Sequence, residues 1–353
     1  MSREGVNLLI IRVLPGIDSL TSHEWDRLSA PGVIYETREW MSATEPLLPG
    51  TPLITAEFGD DGLESLIAWQ AMRSDDPSPY FNIGGLLARL TERPLLDGGG
   101  WTLNCAGMEM HSQLLAAPGV VFDAGRLGAH IDAAVAARPE PPVMCGVSFL
   151  PRDSAPGAAA ALTELGFTEF RGYQRAILEI RGDSYEEHLA ALPKGKRAKS
   201  RRDRRLFAES GQRTVISAGP AAGGDDLVRL HRLNREKYGS PDDEGELRKL
   251  HTMTLGSKSE DSLVVRSYRS DVCTGFAMFA RSGDTLYAMA TGAEPHQDKI
   301  GPYFECLYHA AIEWSCCNGI RAIDYGIGAT MAKAQLGCTI VDVSSWYLAS
   351  ASS

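Results

Sequence analysis

Short apolar runs of strand length alternate with longer amphipathic runs along this chain. "NLLIIRVL" reads as a first strand. "DSLTSHEWDRLSA" reads as a helix with Leu20, Trp25 and Leu28 at helical spacing and Asp18 or Ser19 as N-cap. "TPLITAEF" and "SLIAWQAMR" read as consecutive strands joined by the turn "GDDG". "WTLNCAG" and "PPVMCGVSFL" add strands, while "AGRLGAHIDAAVAAR" and "APGAAAALTELG" read as helices, the second stopped by Gly166. "QRAILEIRG" closes the first half as a strand. The order then repeats. Helix "SYEEHLAAL" leads into a basic segment, strand "QRTVISAG", and helices "DDLVRLHRLNREKYG" and "GELRKLHTMTLGS". Strands "DSLVVRSYR", "VCTGFAMFAR" and "TLYAMATGA", the long helix "GPYFECLYHAAIEWSCCNG" and strand "AIDYG" complete it. The pattern predicts an α+β fold with mixed sheets. The echo between halves places two related domains at residues 1–178 and 179–353, with no low-complexity linker between them.

Composition supports two domains, because 353 residues exceed one ordinary domain. No apolar run reaches the roughly 18 residues needed to span a bilayer. "NLLIIRVL" is interrupted by Arg12 and lacks a basic leader and cleavage site, so a cytoplasmic protein is expected. The seven cysteines include adjacent Cys316 and Cys317 and no CxxC spacing. That predicts reduced, mostly buried thiols and no metal site.

Charge changes the picture more. The net charge is -10, yet residues 194–205 hold Lys194, Lys196, Arg197, Lys199, Arg201, Arg202, Arg204 and Arg205 against one acid, Asp203. With those eight cations and one acid set aside, the remainder carries -17. On a helix, Lys194, Arg197, Arg201 and Arg204 or Arg205 share one stripe. Such a stripe repels itself unless acids elsewhere or a phosphate-rich partner neutralise it. No aromatic residues interleave with the cations, which favours contact with phosphates over stacking on bases.

Residues 296–338 hold a second constellation. Pro302 suits a first helical turn. Glu305, Tyr308 and His309 then fall on one side at i, i+3 and i+4. Glu305 or His309 could act as general base, and Tyr308 or Tyr325 as proton donor or oxyanion partner. Tyr303, Asp324 and Lys333 are the expected substrate contacts, Lys333 within the Gly-rich loop "GIGATMAKAQLGC". That loop matches neither a P-loop nor a dinucleotide fingerprint.

At these two segments the chain resembles the FemAB-like group of tandem GNAT-fold transferases, relatives of enzymes that add amino acids to peptidoglycan precursors. "SYEEHLAALPKGKRAKSRRDRR" looks like the family's helix and basic run, and "YFECLYHAAIEWSCCNGIRAIDYGIGATMAKAQLGC" like its FE-x-x-Y and Lys-containing block. "WDRLSAPGVIYETREW" fits the family's opening more loosely. The likeness is good over about residues 160–345 and architectural before that. It implies two GNAT-like domains in tandem, each a mixed, mostly antiparallel sheet flanked by helices. It also implies an acyl or aminoacyl transferase that forms an amide bond on an amine-bearing small molecule or peptide, a cell-wall precursor among them. Glu305, Tyr308 and Lys333 are carried over as site residues and the basic run as a phosphate contact.

The resemblance leaves two donors, aminoacyl-tRNA and acyl-CoA. CoA enzymes of the GNAT superfamily hold pyrophosphate on a [RQ]-x-x-G-x-[GA] loop at a helix N-terminus. Here "HQDKIGPYF" sets Gln297 and Gly301 one residue too far apart, and Pro302 removes an N–H. Gly84 and Gly85 in the first half have no basic or Gln residue at the right offset. The expectation is therefore an aminoacyl-tRNA donor, no required cofactor and no ATP, with acyl-CoA as the alternative. A non-catalytic GNAT-like module binding nucleic acid or protein through the basic helix is a further alternative.

Overall fold

The computed structural model describes residues 10–28, 33–76, 81–91, 99–151, 155, 157–219, 222–237, 243–256, 262–295 and 301–349. The chain divides into two compact units, Met1–Tyr173 with Val341–Ser353, and Gln174–Ile340. No helix among the described residues is long and apolar enough to cross a membrane.

The first unit starts with strand β1 (Ile10–Leu14) and helices α1 (Ser22–Asp26) and α2 (Arg38–Thr44). Strands β2 (Thr51–Gly59) and β3 (Gly62–Arg73) follow, then α3 (Ile83–Thr91), β4 (Trp101–Cys105) and β5 (Leu114–Ala116). Helix α4 (Ala124–Ala136), β6 (Met144–Pro151), α5 (Ala158–Glu164) and β7 (Thr168–Glu179) complete the run. The hairpin β2–β3 turns tightly, with Gly59 opposite Gly62. Gly62 takes φ 109°, a conformation that costs a side-chain-bearing residue strain. Strands β1 to β4 are antiparallel neighbours, and β6 then lies parallel to β4. A parallel neighbour needs a crossover, which α4 supplies. The α4 crossover packs Leu127, Ile131 and Ala134 into a core with Trp69, Leu103, Val147 and Trp346.

The second unit takes the second half of β7 and continues with α6 (Tyr185–Ala191), α7 (Lys194–Glu209) and β8 (Gln212–Ala218). Helices α8 (Asp225–Lys237) and α9 (Glu244–Gly256) lead to strands β9 (Ser262–Arg269), β10 (Val272–Ser282) and β11 (Thr285–Ala293). A helical segment follows as α10 (Pro302–Phe304), a π turn (Glu305–His309) and α11 (Ala310–Cys317). Strand β12 (Ala322–Ile327) and α12 (Thr330–Gln335) end it, and β13 (Thr339–Ala349) belongs from Val341 onward to the first unit. Strands β8 to β11 are antiparallel neighbours, and β12 again lies parallel to its predecessor β11. The two units thus share one arrangement: an antiparallel meander, a helical crossover, a parallel strand. On the far side of β12 runs β7, antiparallel, with Ala322 opposite Glu179. The helical crossover buries Cys306, Leu307, Ala310, Ala311 and Ile312 against Leu178, Val265, Phe279 and Ile323.

Most of the sequence-read segments are elements of this structure. Their ends at 7–9, 29–32, 80, 156, 238–239, 257 and 261 lie outside the described residues. Helix α1 is shorter than its sequence pattern suggests, and its cap is Thr21 rather than Asp18 or Ser19. Thr21 and Glu24 form a reciprocal capping box, while Asp18 and Ser19 sit in a separate 3-10 turn. The Gly-rich stretch is not all loop, because Thr330–Gln335 forms α12. Strand β13 lacks a clean alternation, since Asp342 and two serines interrupt it. Its partner is β6, with Tyr347 opposite Gly146. Ser345 Oγ accepts from Phe149 N at 3.1 Å, and Tyr347 OH meets Ser148 Oγ at 3.0 Å.

Candidate active site

The basic segment forms α7 in full, Lys194–Glu209. Pro193 precedes it and no side chain caps it, so Lys194 and Lys196 stand at the positive end of the helix dipole, where cations are disfavoured. Ser200, Asp203 and Phe207 form its buried side. The cations do not form one unopposed stripe. Lys199 pairs with Asp203, Arg201 with Glu186, and Arg205 with Glu209. Lys196 Nζ donates to Ala334 O at 2.7 Å and Arg197 Nη1 to Ala190 O at 3.1 Å. Lys194 and Arg202 are exposed. Internal acids and carbonyls therefore neutralise or hold much of the run. Arg204 is different. It bridges buried Glu305 at 3.4 Å and the more exposed Glu313 at 2.7 Å, with its guanidinium 4.7 Å above the Tyr185 ring.

Pro302 occupies the first turn of α10, as its missing N–H permits. The helix then widens into a π turn whose five residues are all buried. Single π turns recur at functional sites because they displace side chains from the regular helical face. Glu305 is 2% exposed, and its Oε2 has no hydrogen-bond partner. Burial pushes its carboxyl up to about 7, outweighing the opposing pull of Arg204. His309 Nδ1 meets Tyr185 OH at 2.9 Å, and its Nε2 has no partner. Burial drives His309 down to about 3, helped by the charges of Arg204 and Lys199, so its ring is neutral.

The remaining sequence candidates lie deeper or elsewhere. The Tyr308 ring packs 4.8 Å from that of Tyr325, whose buried OH has no hydrogen-bond partner. Tyr303 is half-buried beside Phe304 and Tyr308. Lys333, on α12, donates to the carbonyls of Tyr325 at 2.7 Å, Gly326 at 3.2 Å and Ile327 at 3.4 Å. Burial lowers its ammonium to about 8. Asp324 binds Arg175 Nη1 at 2.7 Å and Gly326 N at 2.7 Å. Lys333 and Asp324 thus each hold the end of β12, and both are buried.

One groove of about 650 Å³ in this unit collects the rest. Tyr185, Arg201, Arg204, Arg205, Arg213 and Glu305 line it. The structure therefore brings Glu305 together with three of the predicted cations. It leaves His309, Tyr308, Tyr325, Tyr303, Asp324 and Lys333 out of the groove wall. Tyr185, Arg213 and Glu313 were not found by sequence reasoning. Tyr185 opens helix α6, and nothing local links it to His309, which is 124 positions away. Of the CoA-type loop, residues 296–300 lie outside the described residues. Gly84 and Gly85 stand in the first turn of α3, where Asn82 Oδ1 accepts from Gly85 N at 3.2 Å.

The buried histidines predict an acid limit to stability. Burial lowers His130 to about 4, His231 to about 3, His251 to about 4 and His309 to about 3. Unfolded histidine takes up its proton near 6.5, so between about 6.5 and 4 the unfolded chain binds protons that the native one refuses. Stability falls as pH drops through that window. Glu305 works in the opposite sense: raised to about 7, it favours the native state below its unfolded value, a gain lost as pH rises through 7. Burial also lowers His188, in the sense of the other histidines, and raises the Glu45 carboxyl, in the sense of Glu305, so the histidines outnumber the raised carboxyls. The urea midpoint is therefore expected to be lower at pH 5 than at pH 7.5, and an unchanged midpoint would contradict the neutral, buried assignment.

Residues 145–352 match the model of the FemAB-like family, described as peptidoglycan biosynthesis and recognition. No curated protein matches the chain in sequence. Among solved structures, that of FemX is similar with a TM-score of 0.61 at 12% identity, covering 94% of this chain and 96% of that one. A tandem GNAT protein from the clavulanic acid biosynthesis pathway is similar with a TM-score of 0.57 at 12% identity, covering 98% and 100%. The C-terminal domain of a putative lysylphosphatidylglycerol synthetase from Agrobacterium fabrum is similar with a TM-score of 0.53 at 9% identity, covering 88% and 86%. At such identities these likenesses establish the fold, two GNAT-type units in tandem.

Proposed function

The chain belongs to the FemAB-like family of transferases, and from that premise we propose that it transfers an aminoacyl group from aminoacyl-tRNA to an amine. The observation that carries this reading is the groove beside α7, where a carboxyl near neutrality and several arginines meet. An amine must lose a proton as it attacks a carbonyl. Glu305, with its pKa near the working pH, suits that task better than neutral, enclosed His309. The amine nitrogen bonds to the ester carbonyl carbon, and the carbon–oxygen bond to the tRNA ribose breaks. The amine proton passes to Glu305 and then to the departing ribose oxygen. The ester is already activated, so positioning and charge stabilisation suffice and no ATP is consumed.

Arg204, Arg205, Arg201 and Arg213 offer charge for phosphates at the groove. The acidic remainder of the molecule weakens indiscriminate nucleic-acid binding. A tRNA donor places the reaction in the cytoplasm. The acceptor is an amine-bearing peptide or small molecule, a peptidoglycan precursor among them.

Filter retention of charged tRNA at low and moderate salt, run beside thermal shifts with acetyl-CoA, tests the donor. Salt-sensitive retention of tRNA with no shift from CoA is the expected result. Stabilisation by CoA without tRNA retention would overturn the tRNA donor in favour of acyl-CoA. Tight tRNA binding with no transfer to any amine would favour a non-catalytic binding module.

A further inference from the structure

We propose that Tyr185 and His309 are positioning residues that hold the Arg204 guanidinium across the Glu305 carboxylate. The inference rests on the reading of Glu305 as the base. Arg204 projects from α7 and is 30% exposed. Its nearer carboxylate is Glu313 at 2.7 Å, which is 48% exposed, and Glu305 is the farther at 3.4 Å. An arginine tethered only to a half-exposed carboxylate keeps much of its rotamer freedom, and such a pair contributes little. Something else must keep this side chain over the buried acid. The Tyr185 ring does so, lying beneath the guanidinium at 4.7 Å.

That ring is itself fixed. Its OH meets His309 Nδ1 at 2.9 Å, and the two rings stand edge to face at 89°. His309 sits in the same π turn as Glu305. One turn of backbone therefore carries both the carboxylate and the anchor of the platform that holds its counter-charge. This also gives His309 a role without a proton transfer. Among the described residues, the carboxylates that face Arg204 are Glu305 and Glu313. Lys199 lies over Phe304, and Glu186 is engaged with Arg201. Of these, only Glu305 is buried.

The test follows the Glu305 carboxyl by 13C NMR in the full chain, with circular dichroism to verify folding. Removing a nearby opposite charge raises a carboxyl pKa by about one to three units. Tyr185→Leu removes the platform and is expected to raise the Glu305 midpoint by about one unit. Tyr185→Phe keeps the ring but loses the anchor, so a smaller rise is expected. His309→Leu should behave like Tyr185→Phe. His309→Asn, whose amide lies where Nδ1 does, should keep the wild-type midpoint. A folded Tyr185→Leu protein with an unmoved midpoint overturns the inference. Exchange of the Arg204 Nε proton gives a separate readout and should quicken in Tyr185→Leu. If wild-type Glu305 does not titrate near neutrality, the base reading falls; the positioning inference then still stands on quickened Arg204 exchange and falls with unchanged exchange.

Discussion

Glu305→Gln is expected to lower turnover roughly a hundred- to ten-thousandfold while substrate affinity changes little. The two side chains have nearly the same size, so the buried packing around residue 305 is kept. What is lost is the ability to accept a proton. Arg204 also loses one of its two carboxylates, though Glu313 at 2.7 Å and the Tyr185 ring beneath its guanidinium remain. The pH–rate profile adds a second check. Burial places the Glu305 carboxyl at about 7, so the wild-type rate should climb as pH rises through neutrality, as the base becomes free. The variant's residual rate should lack that rise. Turnover equal to wild type in Glu305→Gln would remove this residue from the mechanism.

The second large effect concerns the basic helix. Replacing Arg201, Arg202 and Arg205 together by Ala should weaken tRNA retention and flatten its salt dependence by about two to three in log–log slope. Arg204 is left in place because it serves Glu305, and its loss would mix binding with catalysis. Arg201 and Arg205 have partners in Glu186 and Glu209, but these pairs are exposed and therefore weak. A polyanion can displace such carboxylates at small cost. Wild-type salt dependence in the triple variant would show that α7 is a solvated face.

The alternation of strand and helix patterns was enough to read an α+β chain with a repeated plan. Periodicity reports which residues are buried, and burial follows locally from element type. The eight cations of α7 and the Glu305, Tyr308 and His309 spacing were equally visible, because both depend on intervals of three and four along one helix. What those residues touch was not visible. Whether a cation is free or already paired depends on acids brought near by the fold, and Arg204 finds Glu305 and Glu313 across more than one hundred positions. Lys333 read as a substrate contact because it falls in the Lys-containing block that resembles the family's. The structure turns it inward onto three carbonyls at the end of β12.

Glu305 shows the division most clearly. Its identity and its helix were fixed by the sequence pattern, but a carboxyl on a helix face carries an ordinary charge until something removes water from it. The packing of the π turn against α7, β9 and β10 does that, and desolvation is the largest cause that moves its proton to neutrality, with Glu313 adding to it. Strand β13 makes the same point for the fold. Its eleven residues favour extended structure, but pairing with β6, in the same unit, joins segments far apart in the chain. No local interval encodes such a contact, because long-range pairing is decided by which strands the fold brings side by side.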